Sequence, residues 1–273
     1  MKPLGIAVIM GENLEETLCW AKDSGFNNCQ LQLWDMSHLC REHAGYVKGL
    51  LEKLDMEATG LWCGWHGPIK WDFAEGPSIL GIVPPEYRSS RMKNLLDGAE
   101  YARILGIKDI ITHLGFVPTN CRDVNYTGVV SALRYITSEL KKHGQNFLME
   151  TGQEPPIVLR RLIEDVGSNN LFVNYDPANL MMYGNANPVD GLDVLGQYVR
   201  SVHAKDGSYP EKGYEVGCEY PIGKGKVDFP GFIRKLKAIG YNGPVSVEYE
   251  IEAGNERQKQ EIIDGKKYLE SIL

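Results

Sequence analysis

The chain has 273 residues, of which 43% are hydrophobic and 24% charged, with a formal net charge of −7 and a pI near 5.5. This is a globular composition without the clustered basic excess of a nucleic-acid surface. Its cysteines (Cys19, Cys29, Cys40, Cys63, Cys121 and Cys218) form no CxxC pair and no regular framework. A zinc ribbon or disulfide scaffold is therefore excluded, and reduced thiols in a cytoplasm fit best.

The first apolar run, LGIAVIM, is too short to cross a membrane and has no cleavage-site pattern, so it reads as a strand. No later apolar stretch approaches spanning length, and a soluble, cytoplasmic protein is expected. Further short runs follow, with starts near Leu4, Asn28, Glu57, Asp109, Asn146, Leu171, Val199 and Pro244. Between them lie amphipathic stretches: LEETLCWAKDSG, HAGYVKGLLEKLD, RMKNLLDGAEYARILG, VVSALRYITSELKKHG and DFPGFIRKLKAIG. Several close on a glycine (Gly25, Gly106, Gly144, Gly240), the residue that accepts a left-handed helix terminus at little cost.

Eight alternating units with no interdomain linker predict a single (β/α)8 TIM barrel over residues 1–273. The competing architecture, a doubly wound open sheet, lacks the GxGxxG turn after its first strand. Long Gly/Pro-rich loops at 65–85, 115–124 and 207–227 follow the third, fourth and seventh strands. They belong to the barrel face where active sites are built.

The last four strands share a further feature. NFLMETG, LFVNYDP, VRSVHAKD and PVSVEYE each start as a buried strand and then break the apolar pattern with Glu150, Asp176, His203 or Glu248. Side chains two apart on a strand face the same way. Two residues back lie Leu148, Asn174, Ser201 and Ser246, three of them small and polar, whereas Met149, Tyr175, Val202 and Val247 alternate with the site residues. This pattern suits a barrel interior opening into a polar site. Each acid alone could cap the following helix, which accounts poorly for His203. Three carboxylates and an imidazole favour one divalent ion, Mn²⁺, Mg²⁺ or Co²⁺, with Zn²⁺ also accommodated. Such a site suits proton abstraction beside a carbonyl, with the metal as Lewis acid and a carboxylate moving the proton.

Through LMETGQE, NYDPANL, VHAKDG, GKGKVDFPGF and VSVEYE, the chain resembles the xylose isomerase-like TIM barrel superfamily over nearly its whole length. That group holds sugar phosphate isomerases and epimerases, ketose 3-epimerases, inosose dehydratase and endonuclease IV. The resemblance implies that Glu150 and Glu248 act as an acid/base pair on opposite faces of the substrate as well as metal ligands. Asp176 and His203 would then serve as ligands only. Two departures concern the substrate. Asn179 stands where the ketose epimerases and endonuclease IV often have a histidine, and HAKDGSYPEKG lacks the arginine that epimerases place after the histidine ligand.

Around this set, Trp34, Trp62, Trp65 and Trp71 are candidates for an aromatic wall, with core packing as the alternative. His66 and His113 end the third and fourth strands as candidate substrate contacts, as are Asn179, Gln153 and Glu154, the last of which could instead begin the next helix. Lys205 could bind a substrate oxygen or phosphate, and Asp206 could orient His203 from behind; a surface ion pair is the alternative for both. GKGK at 223–226 is not a phosphate loop of the GxxxxGK[ST] type.

The leading expectation is a metal-dependent isomerase or epimerase of a small sugar, sugar phosphate or keto-polyol, working through an enediolate. A lyase eliminating from a keto-sugar or inosose is the alternative. An endonuclease IV-like phosphodiesterase, whose extra metals could involve His66 and His113, and a non-catalytic partner subunit rank below both. A small carbohydrate is the expected partner, with no nucleic acid or membrane, and a homo-oligomer stays open.

Overall fold

Short aliphatic runs bounded by Gly, Asn and Asp are too brief to sustain isolated helices and gain their hydrogen bonds by pairing with one another. The computed structural model of the protein describes residues 3–251 and 254–273. The paired segments are β1 (Gly5–Ile9), β2 (Asn28–Leu33), β3 (Glu57–Cys63), β4 (Asp109–Thr112), β5 (Asn146–Glu150), β6 (Leu171–Tyr175), β7 (Val199–Ala204) and β10 (Val245–Val247). Two short segments, β8 (Asp206–Gly207) and β9 (Glu219–Tyr220), pair antiparallel in the loop after β7.

The first group forms a closed parallel barrel, in which β10 lies between β7 and β1. Gly5 and Ile6 register with Ser246 and Val247 at the closure. The ring leaves no free edge, so the open-sheet alternative does not apply and the expected (β/α)8 architecture holds. Strand starts match the sequence expectation except at the two closing strands, which begin one residue later, at Gly5 and Val245. Pro244 has no N–H to donate to a ladder, and only its carbonyl joins, accepting from Val202 N–H at 3.1 Å.

Helices cover the barrel from outside. The longest, Pro85–Leu105, starts on proline, whose missing N–H costs nothing in a first turn. It ends where Gly106 takes φ 80° and returns its N–H to the carbonyls of Ala102 and Arg103. Strand residues alternate between two environments. Leu31, Met149, Val173, Val202 and Val247 join the layer beneath the helices, while Trp62, Ile111 and Leu148 form a separate cluster with Trp65 and Leu80. On β3, Ile111 leaves no room for a side chain at Gly60, since a Cβ there would stand 2.9 Å from Ile111 Cδ1, whereas Gln30 Cγ at 3.5 Å would be an ordinary contact.

Candidate active site

Glu150 is the last residue of β5, Asp176 follows β6, His203 lies near the end of β7 and Glu248 follows β10. Adjacent parallel strands bring their C-terminal ends together. One ligand atom from each residue lies within 4.8 Å of the others, and all four side chains are buried. His203 Nδ1 is 3.0 Å from Glu248 Oε2, 3.2 Å from Glu150 Oε1 and 3.8 Å from Asp176 Oδ2.

Each of the four side chains is held from outside the cluster. Glu150 Oε2 accepts the indole N–H of Trp62, and Glu248 Oε1 accepts from Gln32 Nε2 at 2.5 Å. Asp176 Oδ1 accepts the N–H of Asn179 at 2.9 Å, so Asp176 does cap the helix Pro177–Met182 while its other oxygen faces the cluster. His203 Nε2–H donates to Gln30 Oε1 at 2.6 Å, and Gln30 Nε2 donates onward to Ser201 Oγ at 3.3 Å. Every member thus spends one polar atom on the scaffold and turns another inward.

Asp176 Oδ2, His203 Nδ1 and Glu248 Oε2 are buried without a hydrogen-bond partner. Buried polar atoms seldom remain unpaired, and an inward-facing set of three oxygens and one nitrogen fits a divalent ion. The electrostatics agree. Burial pushes the Glu150 carboxyl up, but the His203 and His113 imidazoles outweigh it and hold it below its ordinary value. Burial likewise opposes ionisation of Glu248, and His203 and Lys205 overcome it. Asp176 stays raised because burial prevails over its contact with His203. For His203, burial acts downward, yet Glu248 and Glu150 lift it well above the ordinary imidazole range. The three carboxylates demand positive charge at their centre, which an imidazolium supplies singly and a divalent ion doubly.

Glu150 and Glu248 line the floor of a cavity of ≈ 270 Å³, while Asp176 and His203 are fully buried and outside its lining. Trp34, Trp62 and Trp71 wall one side, with Trp34 and Trp62 centroids 4.5 Å apart and Trp34 and Trp71 6.4 Å apart. The loop carrying Trp71 is clamped by Arg91, whose buried guanidinium donates to the carbonyls of Ile79, Gly81 and Pro68 at 2.5, 2.7 and 3.2 Å.

The other expected residues divide. His113, Asn179 and Lys205 line the cavity. His113 Nε2 is 3.5 Å from Glu150 Oε1, and Asn179 Nδ2 donates to the same oxygen at 3.3 Å. Lys205 Nζ is 3.4 Å from Glu248 Oε2, 2.5 Å from Glu250 Oε2 and 4.0 Å from Glu219 Oε2. Gln153 also lines the cavity, with its amide unpartnered.

Four expectations change. Trp65 is buried behind the wall, under the Arg91 guanidinium at 5.1 Å, because it follows β3 by two residues and turns into the core. His66 is exposed and directed to the helix Pro85–Leu105, its Nδ1 2.5 Å from Asn94 Oδ1. Glu154 is buried outside the cavity lining, both oxygens unpartnered, and burial alone pushes its carboxyl well above the usual range. Asp206 does not hold His203; Gln30 does, and Asp206 is instead wrapped by the loop after β7. Gln30, Gln32, Glu219 and Glu250 were not singled out by the sequence reading, although the alternation QLQL in β2 is a visible signal.

Among the described residues, this is the sole group of three or more potential ligands close enough to share an ion, and no helix is long and apolar enough to cross a membrane. A family model described as "Xylose isomerase-like TIM barrel" matches residues 18–272. An uncharacterized protein of Methanocaldococcus jannaschii is 27% identical over 174 residues, 59% of this chain, and the match spans only 57% of that relative. The xylose isomerase domain protein of Planctomyces limnophilus is 30% identical with TM-score 0.92, over 99% of this chain and 96% of the other. The same fold recurs in the 3-keto-D-glucoside 4-epimerase of E. coli at 18% identity and TM-score 0.73, covering 99% and 100% of the two chains. It recurs too in a probable 3-DHS dehydratase of Bacillus anthracis at 18% identity and TM-score 0.70, covering 98% and 99%.

Proposed function

We propose, from the premise that the chain belongs to the xylose isomerase-like TIM barrel family, that it is a divalent-metal-dependent isomerase or epimerase of a small carbohydrate. The observation that carries this reading is the matched tethering of two glutamates. Glu150 and Glu248 each fix one oxygen to a scaffold donor, Trp62 or Gln32, and turn the other toward the same cavity floor. Two carboxylates so placed can take a proton from one position of a bound substrate and return it at another.

Glu150, Asp176, His203 and Glu248 would hold the ion, whose contribution when bound is Lewis-acid stabilisation of charge developing on a substrate carbonyl. The chain's own side chains do the rest. Trp34, Trp62 and Trp71 offer faces to sugar C–H groups and exclude water. Asn179 and His113 contact Glu150 Oε1 and orient it. Glu248, held low by His203 and Lys205 against its burial, starts as the ionised base. In an isomerisation Glu248 would return that proton to the neighbouring carbon; in an epimerisation a second proton, drawn from solvent, would reach the opposite face of the same carbon through Glu150, and Glu248 would release the first to solvent.

Elimination is the second reading, favoured by one contact. Lys205 sits 3.4 Å from Glu248 within the cavity, where an ammonium could protonate a leaving hydroxyl after enolisation. Dialysis against a chelator should abolish turnover, and Mn²⁺ or Co²⁺ should restore it. Product mass then separates the reactions, since isomerisation conserves mass and dehydration loses water.

A further inference from the structure

On the carbohydrate reading above, the groups around the cavity decide whether the substrate carries phosphate. Phosphate-binding (β/α)8 barrels generally hold the anion with backbone N–H groups from the loops after the seventh and eighth strands. Here the loop after β7 closes on the chain's own acid. Asp206 Oδ1 accepts the N–H groups of Gly207 at 2.8 Å and Val227 at 3.1 Å. Its Oδ2 accepts those of Gly223 and Gly225, each at 2.9 Å. A Cβ at Gly225 would stand 2.2 Å from Asp206 Oδ1, so the loop can wrap this tightly only on glycine. Four backbone donors converging on one buried carboxylate form an anion nest whose anion is already built in.

The cavity itself offers no substitute. Lys205 is the one lysine among its lining residues, which include no arginine. Its ammonium is already shared among Glu248, Glu250 and Glu219. Lys224 and Lys226, from the GKGK segment, are exposed and absent from the lining. With Glu150 and Asp176 also present, carboxylates outnumber positive charges even when a divalent ion is added. A phosphomonoester, at about −1.5 to −2 charge, would enter a field of its own sign, whereas an uncharged polyol meets tryptophan faces and neutral amides.

We infer that the site accepts uncharged keto-sugars or keto-polyols and rejects their phosphorylated counterparts, because Asp206 fills the backbone nest after β7 and the cavity's lysine is saturated by carboxylates. The test is titration of the Mn²⁺-loaded protein with D-fructose and D-tagatose and with their 6-phosphates at equal ionic strength, read by quenching of tryptophan fluorescence. Binding is read without turnover, so a failure of the proposed reaction, measured separately by solvent exchange, is distinct from a failure here. Neutral ketoses should bind, and the phosphates should bind at least about tenfold more weakly. Equal or tighter binding of a phosphate, or no binding of either neutral ketose, overturns the inference. In a second arm, sulfate is compared with chloride at matched ionic strength for its effect on Tm. Sulfate should raise the Tm of Asp206→Ala, whose nest is emptied, more than that of the unmodified protein; an equal rise in both contradicts a filled nest. Should that variant fail to fold, the titration alone decides.

Discussion

Gln30 Oε1 accepts the Nε2–H of His203 at 2.6 Å, across 173 positions of sequence. Because the amide oxygen can only accept, the contact places a proton on Nε2 and reserves Nδ1, which faces Glu150, Asp176 and Glu248, as the nitrogen that would give up its proton to an ion. A ligand histidine is typically fixed in this way by a neighbour that is not itself a ligand. Gln30→Ala should therefore weaken Mn²⁺ binding by about 10- to 100-fold, measured by titration of the folded variant. An unchanged Mn²⁺ affinity with a lowered Tm would make Gln30 a packing residue only.

The Trp62 indole that donates to Glu150 Oε2 also faces the cavity. Trp62→Phe retains most of the aromatic surface and removes the donor. A hydrogen bond to a charged group contributes about 1.5–3 kcal/mol, so kcat should fall by about one to two orders of magnitude. KM should change much less. A rise in KM with kcat unchanged would assign Trp62 to the wall alone.

Glu154 gives a pH signature away from the cluster of Glu150, Asp176, His203 and Glu248. Burial raises its carboxyl well above the ordinary value in the folded protein, while the unfolded chain ionises it near pH 4 to 5. Below that range both states carry the proton and the group costs nothing. As pH rises, the unfolded chain gives up its proton first, and stability is lost by up to about 1.4 kcal/mol per pH unit until the folded carboxyl also ionises. Glu154→Gln removes this loss. Its Tm should match the unmodified protein near pH 4.5 and exceed it increasingly toward pH 8. Parallel Tm curves across that range would contradict a buried neutral carboxyl.

Arg91 links the helix Pro85–Leu105 to three carbonyls of the loop that carries Trp71. Burial lowers its pKa to about 10, which still leaves it charged at neutral pH. Arg91→Met strands those carbonyls and should lower stability by about 3 kcal/mol or more. Proteolysis within residues 66–84 should accelerate before any general unfolding. Protection equal to that of the unmodified protein would show that the loop holds without the clamp.

The barrel and the convergence of Glu150, Asp176, His203 and Glu248 at one end of it were legible because both depend on local pattern. Apolar runs mark strands, and a polar residue breaking each run at the same end marks a shared face. What surrounds the ligands was less legible, for reasons of closure. Gln30 and Gln32 read as ordinary strand alternation until β1 pairs with β10 and brings β2 opposite His203 and Glu248. Asp206 follows the histidine by three residues, which suggested a supporting contact. Its actual partners are N–H groups up to 21 residues ahead, brought back by a glycine-rich loop. His66 and Trp65 lie just past β3, where parity no longer fixes direction, and their final positions follow from Asn94 and Arg91 on the next helix.

The most direct test of the account is hydrogen exchange at the carbon beside the carbonyl. The Mn²⁺-loaded protein is incubated with a panel of uncharged ketoses in D2O, and the substrate C–H signal is followed by proton NMR. At least one ketose should lose that signal at a rate that falls by about 10²- to 10⁴-fold in each of Glu150→Gln and Glu248→Gln, with product mass otherwise conserved. Exchange at the unmodified rate in both variants would contradict the assignment of these two glutamates as the proton carriers.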